Sequence, residues 1–476
     1  MSGRAGFLAP VDLGVPGPTG LDMARAFRAI RADPVAFLTK VSARYGDTVA
    51  FPVPGRPVLL LNDPRDATQV LQTHARQWGK DTTQYRALER VTGPGLLATS
   101  GPDWITHRRI AAPAFHRERL HRLTDRIEAV VTSELDRLPI AGGRAVVDVA
   151  PVMDRLSLTV MGTTLFSDDF EGESARMLSA SRTAAATIVA LGRSVVPGAR
   201  WLPTPTNARI AWARRSLLRA SRALLVSRAG RVATPDEDGD LLGLLLDSGL
   251  SEEQIHSEIV TMMIAGHETV GAALAWMLML LAQHPQAQER VREEATRATA
   301  SLAGGSLAGG SSAGGAVAGG SPAEGTLAGS GDDLAYTKAV IDESLRLYPS
   351  AWVLTRRAVS SDSLSGVDVP SGTQVIISPW LLHRRPTVWE HPETFDPTRF
   401  LGGPSRRVGY LPFGQGPRLC IGREMALGQM GIVAQRLLER FDVRLPPGWR
   451  RPRARALVSM HPDGGMPLVL ERRGRG

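Results

Sequence analysis

The chain holds a single cysteine, Cys420, in 476 residues. One thiol cannot close an internal disulfide. That excludes a disulfide-framed secreted scaffold and leads us to expect a reducing, cytoplasmic setting. A lone thiolate also cannot complete a structural zinc site, which takes four ligands. Lysine is nearly as scarce, with only Lys40, Lys80 and Lys338, so arginine carries the formal charge of +9. Aromatic residues make up 5% of the chain, and no dense basic tract is interleaved with them, which argues against nucleic acid as a partner. The first twenty residues are rich in Pro and Gly and lack the apolar core of a signal peptide. The most apolar long run, Ile259 to Ala282, carries His267 and Glu268 near its middle. Two such groups are expensive in lipid, so the run is expected to be a buried helix and not a membrane span.

What is present points to a mostly helical protein. The segment from Asp22 to Gly46 reads as two helices broken at Pro34. "DTVAFPVPGRPVLLLND" reads as a short hairpin. Helical periodicity then dominates from Pro64 to Ala282, and strand patterns return at "SGVDVPSGTQVIISP" and "RALVSMHPDGGMPLVL". Residues 1–20 form an N-terminal segment expected to wrap the surface, and 21–476 one domain. Within it, about 299–332 is a Gly/Ala/Ser-rich insertion, too poor in apolar surface to offset its ordering entropy and expected to be a disordered surface loop.

Three segments carry chemistry. Ser251 and Gln254 form a capping-box signature before a run that ends at Pro285, so one long helix is expected to cross the domain. Its centre, "AGHET", sets Ala265 and Thr269 four residues apart on one face, with Glu268 beside them. Gly266 removes side-chain bulk there. The pattern suits either a packing glycine with solvated polar neighbours or a ligand slot with a proton relay. In "TKAVIDESLRLYP", Glu343 and Arg346 lie three apart within an apolar pattern, which suggests a partly buried ion pair. In "FGQGPRLCIG", Gly414, Gly416 and Gly422 allow tight backbone approach and positive φ around Cys420. Backbone amides there, with Arg418 nearby, would favour the thiolate. A buried cysteine is most often a small hydrophobe, but a single thiolate can also be the sole protein ligand of a haem iron.

Together these segments resemble the cytochrome P450 family. Phe413, Gly416, Arg418, Cys420 and Gly422 match its haem-ligand loop, and "AGHET" is similar to the centre of its oxygen-activation helix. "ESLR" resembles its Glu-x-x-Arg motif, Pro397, Arg399 and Phe400 its Pro-x-Arg-Phe motif, and Trp104 with Arg108 its Trp-x-x-x-Arg motif. All five occur in the family's order. The resemblance implies a mainly α fold with small β-sheets, a larger helical lobe and a smaller β-rich one, and haem b between the long helix and the cysteine loop. It implies Cys420 as the axial iron ligand. Trp104, Arg108, Arg356 and Arg418 would hold the haem propionates, with Arg357 the other choice for the third. Phe413, Gly416 and Gly422 would shape the loop. Ala265, Gly266, Glu268 and Thr269 would form the catalytic segment, Thr269 bonding oxygen or its water and Glu268 supporting proton delivery. Glu343, Arg346 and Arg399 would be a structural triad. Val270 stands where the family often has a second hydroxyl. His107 and His383 are assigned surface or structural roles, and His267 is expected to face away from the haem.

The implied function is a monooxygenase that uses O2 and two electrons to oxidise an apolar small molecule, most simply by hydroxylation. Ferredoxin and ferredoxin reductase would be the electron donors and the protein a monomer. A terpenoid or polyketide is the expected substrate class; a fatty acid would need a placed cation such as Arg86 or Arg90. Desaturation, epoxidation, oxidative coupling and rearrangement use the same chemistry. A haem protein that only senses a ligand is the reading from another class, against which the retained Glu268 and Thr269 argue.

Overall fold

The computed structural model describes residues 13–53, 57–168, 170, 172–192, 204–230, 239–305, 334–402 and 408–474. Pro34 divides the first two helices, Gly20–Ala32 and Pro34–Tyr45. Asp33, between them, caps the second by accepting from the Ala36 amide at 3.0 Å. Thr48–Phe51 and Val58–Leu61 pair antiparallel as the expected hairpin. The second of these strands then runs parallel to Gln374–Ile377, which pairs in turn with Leu354–Ala358 and, beyond it, Trp78–Gly79. Sequence-distant strands thus close one five-stranded sheet, the core of the smaller lobe. The N-terminal segment packs Leu13 and Val15 against this sheet's core. A three-stranded sheet joins Arg144–Asp148, Pro467–Arg472 and Phe441–Arg444.

The larger lobe is built around the central helix Glu252–Gln283. Ser251 and Gln254 close the capping box at its start, satisfying amides that the first turn leaves orphaned. By length and composition it could cross a membrane, yet 83% of its most apolar window is buried inside the protein. A helix apolar on all sides belongs in a core. The helix Val149–Met161 crosses it closely because two glycines make room. A Cβ on Gly266 would fall 2.8 Å from Met161 Sδ, and one on Gly271 would fall 2.8 Å from the Cα of Asp154. Gly266 therefore serves the helix crossing. Of the two readings its sequence leaves open, the packing glycine is the one its surroundings match, since its missing side chain would point at Met161.

The helix Pro285–Gly305 continues through the first residues of the Gly/Ala/Ser-rich tract, so the tract does not become irregular at 299. The rest of that expected loop, 306–332, lies outside the described residues, as do residues 1–12. The motif helix Ala335–Leu347 follows and ends before Pro349, as its sequence requires.

Candidate active site

The cysteine loop is held from both ends. The Cys420 amide donates to Phe413 O at 3.0 Å, and Leu419 donates to Gly416 O at 3.0 Å. Gly416 has φ +71°, and a Cβ there would lie 2.1 Å from Leu71 O, so this position needs glycine for two independent reasons. Gly414, at φ +72°, needs it for conformation alone. Gly422 does not. It has φ −89°, and a Cβ would meet only the Phe115 ring at an ordinary 3.6 Å. What Gly422 supplies is its backbone amide, which donates to the Cys420 sulfur at the head of the helix Arg423–Arg440.

Cys420 sits deep in the protein, yet its own surface is accessible. It therefore borders an internal opening. Burial pushes its thiol above the ordinary range, outweighing the Gly422 amide and the charges of Arg108, Lys80 and Arg423. Burial thus works against the thiolate that the loop amide and the nearby cations favour. Arg418 is engaged elsewhere, stacked over the Trp104 ring at 4.2 Å and donating to Thr99 O at 2.9 Å.

Around this opening stand four cations, Lys80, Arg108, Arg356 and Arg418. Each donates to a backbone carbonyl: Lys80 to Leu97 at 2.9 Å, Arg108 to Leu419 at 2.9 Å, Arg356 to Thr355 at 2.9 Å and Arg418 to Thr99. Among the described residues none of the four has a carboxylate partner. Burial and mutual repulsion hold Lys80 well below its ordinary range, and Arg418 is lowered to about 10, first by burial and then by Arg356. Lys80 and Arg356 are buried and Arg108 and Arg418 half-buried; such cations without counterions are costly, so the cluster suits an anion. Lys80 was not among the residues the motifs selected. Its rarity in an arginine-using chain was the only signal.

From Ile255 to Ala282 every residue of the central helix is buried except Ala265, Gly266 and Thr269. This is the accessible stripe on an otherwise closed helix. Thr269 Oγ1 donates to Ala265 O at 2.8 Å, which leaves the hydroxyl oxygen free to accept, and Ser350 Oγ caps the Thr269 carbonyl at 2.7 Å. Val270 turns inward and is buried.

Glu268 departs from the expected arrangement. It does not line the stripe beside Thr269 but is 3% exposed and held by the C-terminal hairpin Ala454–Ala456/Met460–Pro462. Ser459 Oγ and His461 Nε2 both lie 3.1 Å from its Oε1.

Glu343, Arg346 and Arg399 come together. Arg346 makes a bidentate pair with Glu343 at 2.6 and 2.7 Å, both side chains fully buried, and Arg399 Nε reaches Glu343 Oε1 at 3.2 Å. The remaining Arg346 donors go to the carbonyls of His383, Pro392 and Thr394, so this buried pair is fully satisfied.

Of the histidines, His383 is structural: buried, it accepts from the Leu411 amide at 2.8 Å and reaches Arg346 O at 3.1 Å. His107 is not on the surface; it pairs with Glu258 of the central helix at 2.6 Å, both side chains buried, and Glu258 raises its pKa. His267 turns to the Met263 carbonyl of its own helix.

Above the central helix, Tyr85, Leu88, Val91, Ala184, Ile188, Val260 and Ile264 form an apolar cluster, with Leu97 at its edge. Gly95 brings this region close, since a Cβ there would strike Thr261 Oγ1 at 2.1 Å. Neither Arg86 nor Arg90, the cations expected for a fatty acid, belongs to this cluster. Arg86 is exposed and paired with Asp81 at 2.6 Å, and Arg90 donates to Asn207 at 2.8 Å.

The Cytochrome P450 family model matches residues 16–469. Cyclooctatin synthase from Streptomyces melanosporofaciens is 29% identical over 465 residues, covering 94% of this chain and 93% of the relative. Putative cytochrome P450 132 from Mycobacterium tuberculosis is 28% identical, covering 90% of this chain and 91% of its own. Among solved structures, CYP175A1 from Thermus thermophilus superposes with a TM-score of 0.75 at 29% identity, covering 96% of this chain and all of that one. The fold, mainly helical with small sheets, is that of these cytochromes. The chain belongs to the cytochrome P450 family, and with it to the haem-iron monooxygenases.

Proposed function

We propose that this protein hydroxylates an apolar small molecule of the terpenoid or polyketide kind, using haem b, O2 and electrons from a ferredoxin and its reductase. The observation that carries the reading is the group of four cations, without carboxylate partners among the described residues, beside the only cysteine. Such a group suits the two propionates of a haem. Bound haem supplies oxygen activation at its iron. The chain's residues do the rest. Cys420 would give the iron its thiolate, against the burial that raises its pKa. Lys80, Arg108, Arg356 and Arg418 hold the carboxylates, and Trp104 braces Arg418. Ala265 and Thr269 would offer the accessible stripe of the central helix to the bound group. The apolar cluster from Tyr85 to Ile264 supports an apolar substrate, since such a pocket orients its ligand through few polar groups.

The test is Cys420→Ser. The reduced CO complex of the wild type should show the red-shifted Soret band of a thiolate-ligated haem, and the variant should lose it. A band that persists overturns the ligand assignment. Spectral shifts on titration with terpenes, macrolides, fatty acids and cyclic peptides then test the substrate class; a response to fatty acids alone contradicts it.

A further inference from the structure

Glu268 is the buried acid of the accessible helix segment, yet its carboxylate is used asymmetrically. Oε1 takes both contacts from the hairpin, Ser459 Oγ and His461 Nε2. Oε2 is buried with no hydrogen-bond partner among the described residues. An orphaned carboxylate oxygen is costly unless water or a proton reaches it. His461 lies on the other side. Its side chain is 16% exposed against 5% for Glu268, so it bridges solvent and the buried acid.

The hairpin that carries His461 cannot drift from the helix. Trp276 Nε1 donates to Met460 O at 2.8 Å, and the Met460 amide donates to Ser350 O at 3.1 Å. The Ser350 hydroxyl in turn holds the Thr269 carbonyl. The residues on either side of His461 and Glu268 are thus fixed to each other by three hydrogen bonds.

We propose that His461 is the positioning residue for proton supply in this enzyme, passing protons from solvent through Glu268 to water beside the accessible stripe. This rests on the haem-monooxygenase reading above. The imidazolium Nε2–H bond of His461 breaks as an O–H bond forms at Glu268 Oε1. The acid then gives a proton to water and is a carboxylate again, while the imidazole regains its proton from solvent. One proton passes from solvent to the inner water, and both side chains end in the charge state in which they began. The charged groups facing the pair are Asp154 from the crossing helix, His267 from the central helix and Arg182 from the helix Ser174–Gly192. Asp154 and Glu268 favour imidazolium and Arg182 opposes it. The balance lies toward the charged form, so His461 titrates above its ordinary 6.5 even though burial, the largest single influence, pulls it down. The proton is therefore held to higher pH than on a free imidazole and is lost as pH rises through the raised pKa.

The experiment uses the full-length haem-loaded protein, with NADPH, a plant-type ferredoxin and its reductase, and no added substrate. The reduced CO spectrum of each variant is recorded first; loss of the thiolate band in the wild type refutes the parent reading and not this one. Oxygen uptake is then divided into hydrogen peroxide and water between about pH 6 and 9. In the wild type the peroxide share should rise with pH. In His461→Gln the flux to water should fall about tenfold at neutral pH and lose its pH dependence. His461→Lys, cationic throughout, should restore a low and flat peroxide share. Independently of turnover, the His461 ring titration followed by 15N NMR should move down in Glu268→Gln. If His461→Gln lowers only the melting temperature and keeps the wild-type peroxide profile, the pair is a structural clamp and the proposal fails. An unmoved ring titration in Glu268→Gln also defeats it.

Discussion

Lys80 shows how one residue can carry opposite signs in two states. Its ammonium is buried against the Tyr85 ring at 4.6 Å and bonded to one carbonyl, with Arg356, Arg418 and Arg108 all raising the local potential. In haem-free protein its charged form has no counterion and is disfavoured by burial and by the neighbouring guanidinium groups. With propionates present it becomes a charge-assisted donor, worth about 1.5–3 kcal/mol. Lys80→Met should therefore raise the melting temperature of the haem-free protein and weaken haem retention by roughly 10- to 100-fold. Differential scanning calorimetry of the apoprotein and haem transfer to an acceptor protein read the two effects. A variant that loses stability without haem, or holds haem as tightly as the wild type, contradicts the assignment. Cys420, Trp104, Arg108 and Arg418 were legible in the sequence because motif spacing marks them. Lys80 has no motif around it. Only folding brings residue 80 to Leu97, Arg356 and Arg418.

At the scale of elements, His383 joins three parts of the fold: the short helix Pro379–Leu382 that it follows, the end of the motif helix through Arg346 O, and the turn that leads into the cysteine loop through the Leu411 amide. Since Nε2 accepts from Leu411, Nδ1 carries the proton and donates to Arg346 O. Protonating the ring would abolish the Leu411 bond. Burial accordingly holds His383 down to about 3 from the ordinary 6.5. The sign follows. The folded ring stays neutral while the unfolded chain takes up a proton below 6.5, so stability is full above that value and is lost as pH falls through it toward 3. His267, buried and lowered, acts in the same direction. Thermal melts of the haem-loaded protein between about pH 8 and 4 should show this acid loss. His383→Gln, which keeps a donor and an acceptor but cannot titrate, should flatten it. An identical acid limb in the variant would place the titration elsewhere. Element ends were well marked in sequence: Pro34, the Ser251–Gln254 box and Pro349 each act within a few residues. The orientation of Glu268 was not, because its partner His461 lies 193 residues away. Gly266 was ambiguous for the same reason, until Met161 was seen to fill the space beside it.

For the molecule as a whole, Arg and Lys number 56 against 47 Asp and Glu. The net charge says little about fold but much about encounter. The cysteine loop meets the surface where Gln415 bonds Gln72 at 2.6 Å, and Phe115 packs under Gly422. The chain on either side of these contacts turns Arg76, Arg109, Arg117 and Arg122 to solvent. An acidic ferredoxin approaching this face would be steered by charges that act over about 10 Å at 0.1 M salt. Stopped-flow reduction of the haem by such a ferredoxin should therefore slow steeply as ionic strength rises, mostly through the association rate. Arg109→Glu combined with Arg122→Glu, neither of which touches the cation group, should slow it at low salt and leave the CO spectrum unchanged. Because screening already removes the steering at high salt, wild type and double variant should converge there. Rates that are insensitive to salt, or variants that differ equally at all ionic strengths, would mean that electrons reach the haem by another face or through an apolar contact.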